Sequence, residues 1–112
     1  MSVLKVEATE QPGGTVVRIA GRAGAPEAEH LEEQLARIAS LRPRRLVLDL
    51  AGLEFLSSMG VSALLRLHRE AKNNGTDLRF ASATPVVREL LRAVKLDAIV
   101  PMHARVEDAL AG

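Results

Sequence analysis

Hydrophobic and polar residues alternate along the first twenty positions as they do in half-buried β-strands. Leu4, Val6 and Ala8 are separated by polar residues, and a second alternating run covers 15–20. Between these runs lies the segment 11–14, Gln-Pro-Gly-Gly, in which proline presets φ and glycine accepts a positive φ. The pattern therefore predicts a β-hairpin at the start of the chain.

After the hairpin, helical and strand patterns alternate. Apolar residues spaced three or four apart predict helices, which begin at or near Pro26, Ser58, Thr84 and Val106. Continuous or alternating apolar runs predict the strands between them, over 46–50, 78–80 and 98–100. Such an order is typical of an α/β fold. We expect a mixed, mostly parallel β-sheet of about four to five strands with about four α-helices.

Length, composition and charge limit the functions that this chain can have. Its 112 residues suit one domain over 1–112. Aromatic residues make up only 2% and the formal net charge is +1, which argues against base-stacking surfaces and against attraction to DNA or anionic membranes. No apolar run is long enough to cross a bilayer, and residues 1–5 lack the layout of a signal peptide. We expect a cytoplasmic protein without direct nucleic-acid binding or membrane insertion.

The residue types that usually carry metal or cofactor chemistry are scarce. The chain has no cysteine, so thiolate metal sites and cysteine nucleophiles are excluded. His30, His68 and His103 do not have the spacing of a metal motif, and no glycine-rich phosphate loop occurs. We expect neither a metal nor a cofactor.

Two serines, Ser57 and Ser58, stand where the second helix begins, after a buried strand and a predicted loop over 51–56. One of them is explained as an N-cap, whose hydroxyl accepts from an amide of the first turn. A helix N-terminus also tolerates negative charge, and a phosphoryl group adds about −1.5 to −2. A serine here could thus switch a protein interface. The remaining hypothesis, a small hydrolase using Ser58, lacks the Gly-x-Ser-x-Gly motif.

The segment 46–68, LVLDLAGLEFLSSMGVSALLRLH, resembles the signature of STAS domains, above all of bacterial anti-sigma factor antagonists. That family pattern has a strand ending Asp-Leu-Ser-Gly, a turn reading Phe-(Leu or Met)-Asp-Ser-(Ser, Thr or Ala)-Gly, and a leucine-rich helix. The segment 78–91, LRFASATPVVRELL, is similar to the fourth strand and third helix of the family. The resemblance covers almost the whole chain.

The resemblance implies a STAS fold and a regulator that has no catalysis of its own. Antagonists of this type bind an anti-sigma factor that is a serine kinase of the GHKL type, and thereby release its sigma factor. The kinase then uses ATP to phosphorylate a serine or threonine at the start of the second helix, and a serine phosphatase resets the protein. We therefore expect an anti-sigma factor and a serine phosphatase as partners, and a monomer or weak homodimer.

Two departures from the family pattern affect these expectations. Aligned on Gly60, Met59 occupies the position that is commonly phosphorylated, so Ser58, or failing it Ser57, is the candidate acceptor. The family often has Gly-Glu-Leu-Asp after the second strand, whereas this chain has Gly-Arg-Ala-Gly over 21–24. The acidic residues of that contact are absent.

The expected partner-binding surface combines the loop 20–26, the turn 55–60 and the exposed side of the second helix. Its residues are Gly21, Arg22, Ala23, Gly24, Phe55, Leu56, Ser57, Ser58, Met59, Gly60, Arg66 and Arg69. Met59 favours an alternative function, in which the protein is a non-phosphorylated accessory or scaffold subunit of a signalling assembly or a lipid-transport ABC complex.

Overall fold

The computed structural model describes residues 4–112, so that 1–3, part of the segment examined for a signal peptide, lie outside the described residues. In this part of the chain, strands and helices follow in the predicted alternation. They are β1 Lys5–Gln11, β2 Gly14–Ala23, α1 Ala25–Ser40, β3 Arg45–Leu56, α2 Ser58–Asn74, β4 Asp77–Ala81, α3 Pro85–Ala93, β5 Met102–His103 and α4 Val106–Leu110.

The five strands form one sheet in the order β1-β2-β3-β4-β5. β1 pairs antiparallel with β2, and every other pair is parallel. The predicted fold class is therefore confirmed: a mixed, mostly parallel sheet with four helices that starts with a β-hairpin. Because the strands β2 to β5 are parallel, their carboxyl ends lie at one edge of the sheet, which we call the carboxyl edge.

The main core lies on the face of the sheet that α1, α2 and α3 cover. The strands contribute alternate residues such as Leu48 and Phe80, and the helices contribute stripes such as Leu31 and Leu64, all of them fully buried. A smaller cluster on the opposite face joins Val16, Val47, Ala81 and Ala109, so α4 covers part of that face. The strands β2, β3 and β4 are thus buried on both faces where α4 lies, as the apolar run of the central strand predicts.

Side chains and glycine fix the helix ends close to their predicted positions. The Thr84 hydroxyl accepts from the Val87 amide at 3.3 Å and begins α3. Gly75 ends α2 with a φ of 73°, a left-handed conformation that glycine adopts without a steric cost.

The predicted loops over 20–26 and 51–56 are wrong, because β2 continues to Ala23 and β3 to Leu56. Two bulges explain the error. Arg18 pairs with Asp49 but Ala20 pairs with Gly52, and Gly21 pairs with Leu53 but Arg22 pairs with Phe55. Each shift inserts one extra residue into β3. The buried residues of its second half, Leu50, Leu53 and Leu56, therefore lie three apart instead of two.

The predicted last strand over 98–100 is also wrong. A 3₁₀ turn, Leu96–Ala98, occupies part of this stretch, and Val100 is buried from a loop. The strand β5 follows only at Met102–His103, where it pairs with Phe80 and Ala81. An apolar triplet marks burial, but it does not distinguish a loop that packs on the core from a short strand.

Asp77 orients two arginines that hold the end of α4 on the sheet. Its Oδ2 lies 3.2 Å from Arg45 Nε and 2.9 Å from a terminal nitrogen of Arg79. Arg45 also donates to the Leu110 carbonyl at 2.7 Å, and Arg79 donates to the Ala109 carbonyl at 3.0 Å. The carboxylate therefore supports the fold at the amino ends of β3 and β4.

This cluster makes the free energy of unfolding depend on pH in the acid range. Burial alone would raise the pKa of Asp77, but hydrogen bonds and charge from Arg79 and Arg45 hold it below its ordinary value of 3.8. The stabilisation is fully present above the pKa that Asp77 has in the unfolded chain. It is lost as the pH falls through the lower pKa that Asp77 has in the folded protein. We expect the difference in free energy of unfolding between wild type and Asp77→Asn to shrink between pH 7 and about pH 3.

Urea denaturation at several pH values measures that difference. Asp97→Asn removes a carboxylate that has no ion pair with the described residues, and so controls for the loss of charge alone. A difference for Asp77→Asn that stays constant over this range would contradict the assignment.

Candidate protein-docking surface

The ends of β2 and β3 bring the two predicted segments, 21–24 and 55–60, together at the carboxyl edge. Arg22 pairs with Phe55 and Ala23 with Leu56 along the two strands. The Ser57 amide then donates to the Ala23 carbonyl at 2.9 Å. The two segments therefore form one continuous surface, although 32 positions separate Ala23 from Phe55 in the sequence.

Ser57 is the N-cap of α2, as one reading of the sequence predicts. Its backbone is extended, and its hydroxyl oxygen accepts from the Gly60 amide at 3.2 Å. Gly60 permits close packing here, because a Cβ at this position would lie 2.6 Å from Leu56 Cδ1 and 3.2 Å from the Ala23 carbonyl oxygen. The first turn of α2 is thus held directly against the ends of both strands.

Ser58, the first residue of α2, is exposed, and two apolar residues close to it in the sequence are exposed as well. Within residues 4–112 its hydroxyl has no hydrogen-bond partner, while its carbonyl accepts from Ser62 at 3.2 Å. Phe55 is 39% exposed and Met59 is 56% exposed. The start of α2 therefore presents an unengaged hydroxyl, with exposed apolar residues near it along the chain.

Three residues of the predicted surface lie beneath it. Ala23, Leu56 and Gly60 are buried, so they support the surface and have no exposed side chain to offer a partner. Gly21, Gly24 and Ser57 are half-buried at its rim.

The exposed face of α2 extends this surface along the helix, away from the ends of β2 and β3. Ser58, Ser62, Arg66 and Arg69 follow one another at intervals of four, four and three, which places them on one helix face. At about 1.5 Å per residue, Arg66 lies about 12 Å and Arg69 about 16 Å from Ser58 along the axis. Arg66 pairs with Glu32 of α1 at 3.1 Å and borders a groove of about 310 Å³ between the two helices.

The stacking of Arg22 on Phe55 is a feature of this surface that the sequence did not predict. The guanidinium carbon lies 4.7 Å from the ring centroid. The contact depends on the bulge at Glu54, which places Phe55 opposite Arg22. No pattern in the sequence marks that bulge.

The geometry offers little support for the hydrolase hypothesis. His68 follows Ser58 by ten positions on the same helix, which separates them by about 15 Å along the axis. A general base has to lie within hydrogen-bond reach of the nucleophile.

Among residues 4–112 no group of three or more His, Asp or Glu side chains could hold a metal ion. Over the same residues, no helix has both the length and the apolar character that a membrane span requires.

The matching family model is that of the STAS domain, over residues 5–109. The chain therefore belongs to the STAS domain family.

Proteins of Mycobacterium are among its relatives. Rv2638 of Mycobacterium tuberculosis, provisionally named an anti-anti-sigma factor, is 32% identical over 85 residues, which cover 73% of this chain. The match spans 57% of the length of that relative. The anti-sigma-F factor antagonist RsfA of Mycobacterium tuberculosis is 26% identical over 112 residues, covering 97% of this chain and 87% of RsfA.

A solved structure confirms the fold over nearly the whole length. The crystal structure of an anti-sigma factor antagonist from Mycobacterium paratuberculosis superposes with a TM-score of 0.88 at 24% identity. The superposition covers 96% of this chain and 92% of that one.

The two serines should differ in their effect on stability. Ser57→Ala removes the cap and should lower the free energy of unfolding by about 1 kcal/mol. Ser58→Ala removes an exposed hydroxyl without a partner and should change it by less than about 0.5 kcal/mol. Urea denaturation of both variants beside wild type measures the difference. Equal losses in the two variants would contradict the assignment of Ser57 as the cap.

Proposed function

We propose that the protein is an anti-sigma factor antagonist of the bacterial cytoplasm. In this proposal it binds an anti-sigma factor of the serine-kinase type, causes release of the sigma factor, and catalyses no reaction itself. Membership of the STAS family and the names of the relatives Rv2638 and RsfA support it. The observation that carries it is the exposed, unengaged Ser58 hydroxyl at a firmly held helix start, where Phe55 and Met59 are also exposed.

The carboxyl edge has the physical properties of a docking surface. Phe55 and Met59 are exposed. A partner that covers them removes apolar area from water, which favours binding. The Ser57 cap and the bond from the Ser57 amide to the Ala23 carbonyl fix the backbone before binding. Because little has to be ordered on association, the entropic cost of docking is small on this side of the interface.

Ser58 is the proposed phosphorylation site, and Ser57 is the less suitable one. The Ser57 oxygen is already used as the helix cap, whereas the Ser58 hydroxyl is exposed and unengaged within the described residues. A phosphoryl group on Ser58 would lie at the positive end of the α2 dipole, so the fold would tolerate it. The same charge would lose its water in a complex that covers Phe55, Ser58 and Met59, so the partner would dissociate. A serine phosphatase would restore the binding form.

Met59 supports a second candidate function. It is 56% exposed. It occupies the position directly before Gly60, and that is where the family resemblance places the usual phosphate acceptor. If Ser58 does not replace that acceptor, the same surface is a permanent contact. The protein would then be an accessory subunit of a signalling assembly or of a lipid-transport ABC complex.

Affinity capture from the native cells tests the function. Tagged wild-type chain should recover an anti-sigma factor of the kinase type, identified by mass spectrometry. With ATP, that factor should add a phosphoryl group to wild type and to Ser62→Ala, but not to Ser58→Ala. Ser62 is the matched control because it is an exposed serine one turn further along the same helix face. Ser58→Asp should bind about tenfold more weakly, or ~1.4 kcal/mol.

The outcomes separate the parts of the proposal. A kinase that binds but leaves Ser58 unmodified would retain the docking surface and contradict the switch. Recovery of a transporter permease and ATPase in place of an anti-sigma factor would establish the second function and overturn the first.

A further inference from the structure

We infer that Arg22 is a specificity determinant that selects a partner with an acidic side chain facing the Arg22–Phe55 stack. The inference rests on the proposed function, because it concerns the same docking surface. It adds the sign of the charge that the anti-sigma factor has to present there.

The bulge at Glu54 creates the stack. Gly21 pairs with Leu53, whereas Arg22 pairs with Phe55, so Glu54 is an extra residue in β3. If the strand had no bulge here, Phe55 would lie two ladder positions after Leu53. It would then point towards the core as Leu53 does, since side chains of a strand alternate between faces. With it, the ring is exposed and lies 4.7 Å from the guanidinium carbon of Arg22.

The stack orients the cation without neutralising it. Among residues 4–112 no carboxylate lies within ion-pair distance of Arg22. The nearby carboxylate of Glu27 is already engaged, since its Oε1 accepts from the Gly24 amide at 3.0 Å. A guanidinium that stacks through its face keeps its edge N–H groups free, and their fork matches the two oxygens of a carboxylate.

A bound partner has to satisfy this cation. Docking on Phe55 and Met59 removes water from the neighbouring Arg22, and a charge that loses water without gaining a partner weakens binding. An aspartate or glutamate opposite the stack would provide a bidentate hydrogen bond to the exposed edge. A basic side chain at the same place would be repelled, so the residue also discriminates between partners.

The sequence around the stack supports this reading. The STAS pattern Gly-Glu-Leu-Asp places acidic residues where this chain has Arg22 and Gly24. The sign of the charge at the first of these positions is therefore reversed. A partner that fits this chain has to differ in charge at the facing position from one that fits the acidic pattern.

Binding measurements with the anti-sigma factor recovered by affinity capture test the inference. We expect Arg22→Glu to weaken binding about tenfold or more, and Arg22→Lys to weaken it less because the charge remains. Arg44→Glu is the matched control. It makes the same charge change at an exposed site near the amino end of β3, away from the carboxyl edge. Thermal unfolding of each variant confirms that it is folded.

A zero-length carbodiimide cross-link identifies the partner group. The amine of the Arg22→Lys variant should join to an aspartate or glutamate of the anti-sigma factor, and Arg22→Gln should form no such link. Charge reversal of that acidic residue should restore binding to Arg22→Glu.

Three results would overturn the inference. Equal affinity of wild type and Arg22→Glu would remove the role of the charge while the proposed function stands. An effect of Arg22→Glu that appears only with ATP or ADP would assign the contact to a nucleotide phosphate instead. Failure to recover any anti-sigma factor would overturn the proposed function, and this inference with it.

Discussion

The second half of β3 has to bury a leucine at every third position while it remains paired with β2. A regular strand cannot do this, because its side chains alternate between faces. Two bulges resolve the conflict and keep Leu50, Leu53 and Leu56 in the core. The second bulge turns Phe55 outwards, and the strand continues to Leu56, directly before Ser57, the cap of α2. The position of the proposed docking surface therefore depends on how this strand is packed.

The two ends of the sheet have different tasks. At the amino end, Asp77 and two arginines fix α4 on the second face, and this cluster stabilises the fold. At the carboxyl edge, Ser57 completes the helix cap while the adjacent Ser58 is left unengaged among the described residues. Because the cap belongs to Ser57 and the proposed switch to Ser58, a charge added at Ser58 would leave the cap of α2 intact.

Much of the fold could be predicted from the sequence, because its helices carry clear stripes, caps and stop signals. The hairpin, the central strand, and the caps of α2 and α3 at Ser57 and Thr84 follow from local patterns that tertiary packing does not override. The ends of β2 and β3 could not be predicted, since a leucine at every third position is as compatible with a turn as with a doubly bulged strand. The Arg22–Phe55 stack was beyond prediction for the same reason: it depends on a pairing register that only the folded sheet defines.

We propose that the carboxyl edge is the surface at which another protein docks. Amide hydrogen–deuterium exchange of the full chain, with and without the anti-sigma factor, tests it most directly. We predict slower exchange in the binding partner's presence at 22–26 and 55–62, with no change at the hairpin turn 11–14 or in α4. Protection at the hairpin turn or α4, with unchanged exchange at 55–62, would contradict it.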